Sequence, residues 1–210
     1  TLHISAGNMS AAGTALQAEK GIADTPKDHF DDVMRICRGT ADPALVQLAV
    51  DGAAATFDWL VNGGLKPDPA CPAYGNGAHE NYRIQRYVWG PEGGRSILKA
   101  IQPRFFAAVA SGGVQLNLGS EVTELLRDAT SSGVSGVAAR GKDGKVREYM
   151  GTNVLLATGG YAASQTMMAR IHGCPLYSVG AMPWSKGTGI ELAESVGGYV
   201  RGSSYYHANF

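Results

Sequence analysis

The chain has 210 residues, 44% of them hydrophobic and 17% charged, enough apolar mass for a sizeable core in one or two domains. Lys plus Arg and Asp plus Glu number 18 each, so nothing electrostatic points to nucleic acid or an anionic membrane. Cys37, Cys71 and Cys174 are odd in number and widely spaced, with no C-x-x-C; neither a disulfide framework nor a cysteine zinc site is suggested, and a reducing, cytoplasmic setting is the default. No unbroken apolar run approaches the roughly 18 residues of a membrane span. The 29 glycines are the compositional anomaly, and their doublets suggest tight turns and close backbone approaches to a ligand.

In chain order, residues 1–14 read as a loop opening into a small-residue helix. Thr25-Pro26 and Asp42-Pro43 each supply an N-cap followed by proline at the first helical position. The first starts a helix to about Arg38, and the second starts one that Gly63-Gly64 stops. Residues 65–92 form a long proline-bearing excursion, either functional or disordered. A third helix runs from Gly94 towards Gly112, bent at Pro103. The period then changes to alternation over Val114–Leu118, Glu121–Leu126 and Val134–Arg140, with Lys142-Asp-Gly-Lys as a hairpin turn into Val146–Tyr149. Asn153–Thr158 has the look of a buried parallel strand ending in Thr158-Gly159-Gly160. Helices follow around Ser164–Ile171 and Gly189–Val196. The fold class is α/β with α+β elements.

Three segments carry chemistry. Ser5-Ala-Gly-Asn-Met-Ser-Ala-Ala-Gly-Thr14 has small side chains that let the backbone approach a flat or anionic ligand; alone, it reads equally as a tightly packed helix. Val154–Tyr161 places glycines at the carboxyl end of a strand, where parallel sheets bind cofactors. Gly187-Thr188-Gly189 opens a helix, a weak phosphate signal without the third glycine of G-x-G-x-x-G.

In order and spacing these blocks resemble the FAD-dependent oxidoreductase family of soluble fumarate reductases, succinate dehydrogenase flavoproteins, urocanate reductase and ketosteroid dehydrogenases. Ser5–Thr14 is similar to the family's "AAGGMNAAWT", Asp42–Val46 to "DPALV", Val154–Tyr161 to "AVILATGGF" and Gly187–Gly198 to "GDGL.VAE.AGG". Tyr205–Asn209 resembles "QAHPT". The resemblance implies a partial Rossmann-like FAD-binding domain with a β-meander over 1–162, and over 163–210 the start of a capping or substrate domain and the return to the FAD-binding domain.

By the same resemblance FAD is the cofactor. Ser5, Ala6, Gly7, Asn8, Met9, Ser10 and Ala11 would line the flavin ring and pyrophosphate. Val122 would meet the adenine edge through its backbone. Ala157, Thr158 and Gly159 would pack on the adenosine side, and Thr188 stands where the family has the acidic residue of "GDG". His207 would anchor a substrate carboxylate, although the Pro-Thr that follows in the family is Ala208-Asn209 here. Arg83, Arg86 and Arg95 receive no catalytic role. His3 lies one residue out of register with the histidine that carries FAD covalently in succinate dehydrogenase-type members, so noncovalent binding is the expectation. His29, His79 and His172 are isolated, with no metal-ligand spacing.

The implied activity is hydride transfer between FAD and a small unsaturated or saturated carboxylic acid, with a parent protein about twice this size. Other readings are a 3-ketosteroid dehydrogenase-like flavoenzyme, a cofactor-free structural piece, and a non-flavin domain reusing an α/β layout.

Overall fold

The computed structural model describes residues 2–75, 77, 79–128, 133–174 and 181–204. It divides into two compact units, Thr1–Gln115 and Leu116–Phe210.

The first unit starts with a 3-10 turn at Leu2–Ile4, then β1 (Met9–Ser10), α1 (Ala15–Glu19), α2 (Pro26–Ile36), α3 (Pro43–Asn62), β2 (Tyr87–Val88) and α4 (Gly94–Ala110). The helix starts follow the cap chemistry in the sequence. Thr14 and Gln17 form a capping box on α1, the Thr25 side chain accepts from Asp28 N, and the Asp42 side chain accepts from Ala44 N and Leu45 N. Each cap satisfies amide groups that have no partner within the helix. α3 ends at Gly63, and α4 continues through Pro103.

The core joins Phe57 and Leu60 of α3, Ala100 of α4, Ala11, Leu65, Cys71 and Val88. α3 has an 18-residue window of mean hydropathy 1.3, so by length and composition it could cross a membrane, although Gln47, Asp51 and Asp58 interrupt its apolar run. In this unit Val50, Phe57 and Leu60 are buried, and the Asp58 carboxylate accepts from Ala15 N at 3.3 Å.

The loop at residues 1–14 opens into α1 as expected, with Thr14 as its N-cap, but it also carries a short strand. Gly7 and Gly13 hold φ of +65° and +77°, which right-handed helix does not admit, and Met9–Ser10 pairs antiparallel with Tyr87–Val88. The proline-bearing excursion, in turn, is tied to the core. Asp68 N donates to Trp89 O at 2.9 Å, Ala73 N to Tyr87 O at 2.8 Å, and Ala11 N to Arg86 O at 3.2 Å.

The second unit holds an antiparallel meander of β3 (Glu121–Arg127), β4 (Val134–Arg140) and β5 (Val146–Met150), followed by α5 (Gln165–His172) and α6 (Thr188–Ser195). Val122 faces Ala139 across the β3–β4 ladder, and the register shifts between Val122 and Glu124. The expected strands at Val114–Leu118 and Asn153–Thr158 do not form. A strand exists through its cross-strand bonds, and among the described residues neither stretch finds a ladder partner; Leu118 is 81% and Leu155 91% exposed. All described sheets are antiparallel, so the parallel strand expected at Asn153–Thr158 is absent.

Candidate cofactor-binding site

In the first unit, residues 5–11 turn between the 3-10 helix and α1. Ser5, Ala6 and Asn8 are exposed, Gly7 and Ala11 are buried, and Met9 and Ser10 are half-buried. The turn is held tightly against the start of α4, where Gly94 N donates to Ser5 O at 2.9 Å. A Cβ on Gly7 would lie 2.4 Å from Gly94 N, and its φ is +65°. Glycine is therefore required there for both conformation and space. Met9, Ser10 and Ala11 line a cavity of about 440 Å³ whose other wall is the Leu48–Phe57 face of α3. The exposed small residues Ser5, Ala6 and Asn8 beside this cavity suit a flat ring, while Gly7 N and Ala11 N are already bonded, to Ser5 Oγ and Arg86 O.

Behind the cavity lies a buried polar cluster. Ser10 Oγ is 3.3 Å from His29 Nε2 and accepts from Tyr82 Oη at 3.3 Å. The His29 and Tyr82 rings meet edge to face, centroids 5.6 Å apart. Beyond them the Arg86 guanidinium, with no solvent exposure, donates Nε and Nη2 to the Asp24 carboxylate at 2.9 and 2.8 Å, and Nη1 to Asp32 at 2.9 Å. Gln17 Nε2 adds a bond to Asp24 at 2.8 Å, and Arg83 Nε and N reach Asp32 at 2.7 and 2.9 Å.

These contacts set the charge states. Burial pushes the Asp32 carboxyl up, but bonds from Arg83 and Arg35 and the charge of Arg86 outweigh it and hold the carboxyl below its usual range. His29 is pushed down to about 4, first by burial and then by the positive charge of Arg86.

In the second unit, Val122 and Thr188 line one cavity of about 610 Å³ between β3 and α6, with Glu121, Glu191 and Arg127 at its walls. Thr158 and Gly159 line a separate cavity of about 400 Å³ with Gly189 and Tyr199. Ala157 is exposed and lines neither of these cavities. A Cβ on Gly189 would lie 1.9 Å from Thr158 Oγ1, so the first turn of α6 packs directly on the Thr158 side chain.

Of the predicted residues, the structure thus groups Met9–Ala11 at one cavity, Val122 with Thr188 at a second, and Thr158 with Gly159 at a third. His207 lies outside the described residues. His3 sits in the 3-10 turn with an exposed side chain, and its carbonyl accepts from Arg95 Nε at 3.2 Å. The sequence reading set His29 aside as isolated and gave Tyr82 no part. The available signal was the inward i, i+3 pair His29 and Asp32 on α2, with Arg83-x-x-Arg86 downstream to neutralise it.

The sequence matches the FAD binding domain family over residues 1–208. It is 27% identical over 207 residues to the fumarate reductase (cytochrome) of Shewanella frigidimarina, covering 98% of this chain and 35% of that protein. The open conformation of a flavocytochrome c3 fumarate reductase superposes with a TM-score of 0.77 at 27% identity, over 92% of this chain and 33% of the other. The 3-ketosteroid-Δ4-(5α)-dehydrogenase from Rhodococcus jostii shares the fold, with a TM-score of 0.69 at 21% identity, over 93% of this chain and 46% of the other. The chain spans about a third of the length of the fumarate reductases it matches. With the match running over nearly all of its residues, the chain belongs to the FAD binding domain family, and FAD is the cofactor of that family.

Proposed function

We propose that the chain provides the FAD-binding part of an oxidoreductase that moves a hydride between FAD and a small fumarate- or succinate-like carboxylic acid, in a reducing, cytoplasmic setting. The observation that carries this reading is the end-to-end match to a protein named fumarate reductase, 27% identical over 98% of this chain. Small side chains at Ser5–Ala11 are assigned to the ring and pyrophosphate, and Val122 with Thr188 and, at a separate cavity, Thr158 with Gly159 to the adenosine side, together with the exposed Ala157. Residues 163–210 begin a capping domain in this reading.

Bound FAD supplies the hydride chemistry. The chain's own residues bind and orient. His207 donates to a substrate carboxylate, a role imidazole fills in either charge state.

The test is fumarate-dependent reoxidation of dithionite-reduced flavin in the FAD-loaded protein, followed by absorbance. The expected result is reoxidation by fumarate and none by a 3-keto-1,4-diene steroid, the hydride-accepting partner of a ketosteroid dehydrogenation. Replacing His207 by Ala removes a bond to a charged group, of the order of 1.5–3 kcal/mol, which raises KM and lowers kcat/KM by about 10- to 150-fold. Reoxidation by the dienone steroid alone would replace this reading with the steroid one.

A further inference from the structure

Ser10 stands at the cavity wall, and two side chains from elsewhere in the unit hold its hydroxyl from behind. A serine hydroxyl has one proton to give and two lone pairs to receive with. Tyr82 Oη donates to Ser10 Oγ at 3.3 Å, filling one lone pair. His29 Nε2 lies 3.3 Å from the same oxygen, while His29 Nδ1 is buried with no partner among the described residues.

The unpartnered nitrogen decides the direction of that second bond. If Nδ1 carried the proton, a buried N–H would be orphaned, which folded proteins rarely tolerate; an unfilled acceptor is tolerated more often. The proton then belongs on Nε2, and His29 donates to Ser10. A doubly protonated ring is disfavoured, because burial and Arg86 push the imidazole down to about 4. The nearby carboxylates are also engaged elsewhere: Asp24 with Arg86 and Gln17, and Asp32 with Arg83, Arg35 and Arg86.

We propose that His29 and Tyr82 are positioning residues that fill both acceptor sites of Ser10 Oγ and so commit its O–H as a donor into the cavity, towards an acceptor atom of bound FAD. This rests on the reading of Ser5–Ala11 as a flavin contact. Backbone pairing fixes the serine as well: Ser10 sits opposite Tyr87 in the β1–β2 ladder. A donor that cannot swing away favours the more electron-rich, reduced flavin over the oxidised one.

The experiment is a spectroelectrochemical titration of the FAD-loaded protein. Ser10→Ala is expected to lose about tenfold preference for reduced flavin, a fall of about 30 mV in the two-electron midpoint. Tyr82→Phe and His29→Leu are expected to shift it the same way by less. Combining either with Ser10→Ala should add nothing, since both act only through that hydroxyl. His29→Gln, whose amide still donates, is expected to stay near the unaltered value. A second readout needs no variant: 15N NMR of the unaltered protein should place the His29 proton on Nε2.

A proton found on Nδ1, an unchanged midpoint in Ser10→Ala, or additive shifts would each overturn the proposal. Protein that takes up no FAD would overturn the flavin-contact reading and this proposal with it. Flavin taken up normally, with Ser10→Ala unchanged, would overturn this proposal alone.

Discussion

His29 is 4% exposed, and its surroundings make stability depend on pH with a definite sign. Arg86 repels a proton on the ring, Asp24 and Asp32 attract one, Tyr82 packs against the ring edge, and burial outweighs them all. The folded pKa falls from 6.5 to about 4, so between these values the unfolded chain binds the extra proton. Stability is therefore complete above about pH 6.5 and is lost as pH falls towards 4. After allowance for solvent screening the loss is on the order of 2 kcal/mol. His29→Gln should flatten this slope, checked by urea unfolding between pH 7 and 4.5. An equal slope in both proteins would mean that other groups carry the acid sensitivity.

At the scale of elements, the caps and glycine stops were legible because their chemistry is local. Thr25-Pro26, Asp42-Pro43 and Gly63-Gly64 need only neighbours a few residues away, and α2 and α3 start and end there. The meander was legible for the same reason, since Lys142-Asp-Gly-Lys closes β4 onto β5. What failed depended on distant partners. Asn153–Thr158 is apolar like a buried strand, yet ladder bonds are a property of the neighbour and cannot be read from the segment. The small-residue block at 5–11 read equally as a close-approach loop or a packed helix, because its positive-φ glycine and its pairing with Tyr87–Val88 become visible only in three dimensions. Ser10 was singled out by resemblance, whereas the His29 and Tyr82 that contact its hydroxyl lie 19 and 72 residues away.

The α6 start supplies an element-scale prediction. A Cβ on Gly189 would sit 1.9 Å from Thr158 Oγ1 and 2.9 Å from Thr158 Cβ. Rotating the threonine side chain relieves the first overlap but not the second, so Gly189→Ala must displace the helix start at a cost of about 1–3 kcal/mol. Thr158→Gly in the same protein removes both atoms, and the double variant should recover most of that loss beyond additivity. Urea unfolding of the two single variants and the double measures this coupling.

At the scale of the whole molecule, the way FAD is held separates two kinds of flavoprotein. A covalent link needs one ring nitrogen within bonding distance of one cofactor atom, and a one-residue slip moves the attachment point by about 3.8 Å. By the resemblance read from the sequence His3 is offset by such a slip, and its carbonyl accepts a bond from Arg95 Nε at 3.2 Å. Noncovalent binding is therefore the prediction, with two measurable consequences. Acid precipitation should leave the flavin absorbance in the supernatant. The folded state should also gain stability by mass action, about 2.7 kcal/mol when free FAD is 100 times its Kd, and lose it again on exhaustive dialysis. Flavin bands that stay in the pellet, with a Tm that ignores added FAD, would instead identify a covalent adduct, and His3→Ala would then show whether His3 carries it.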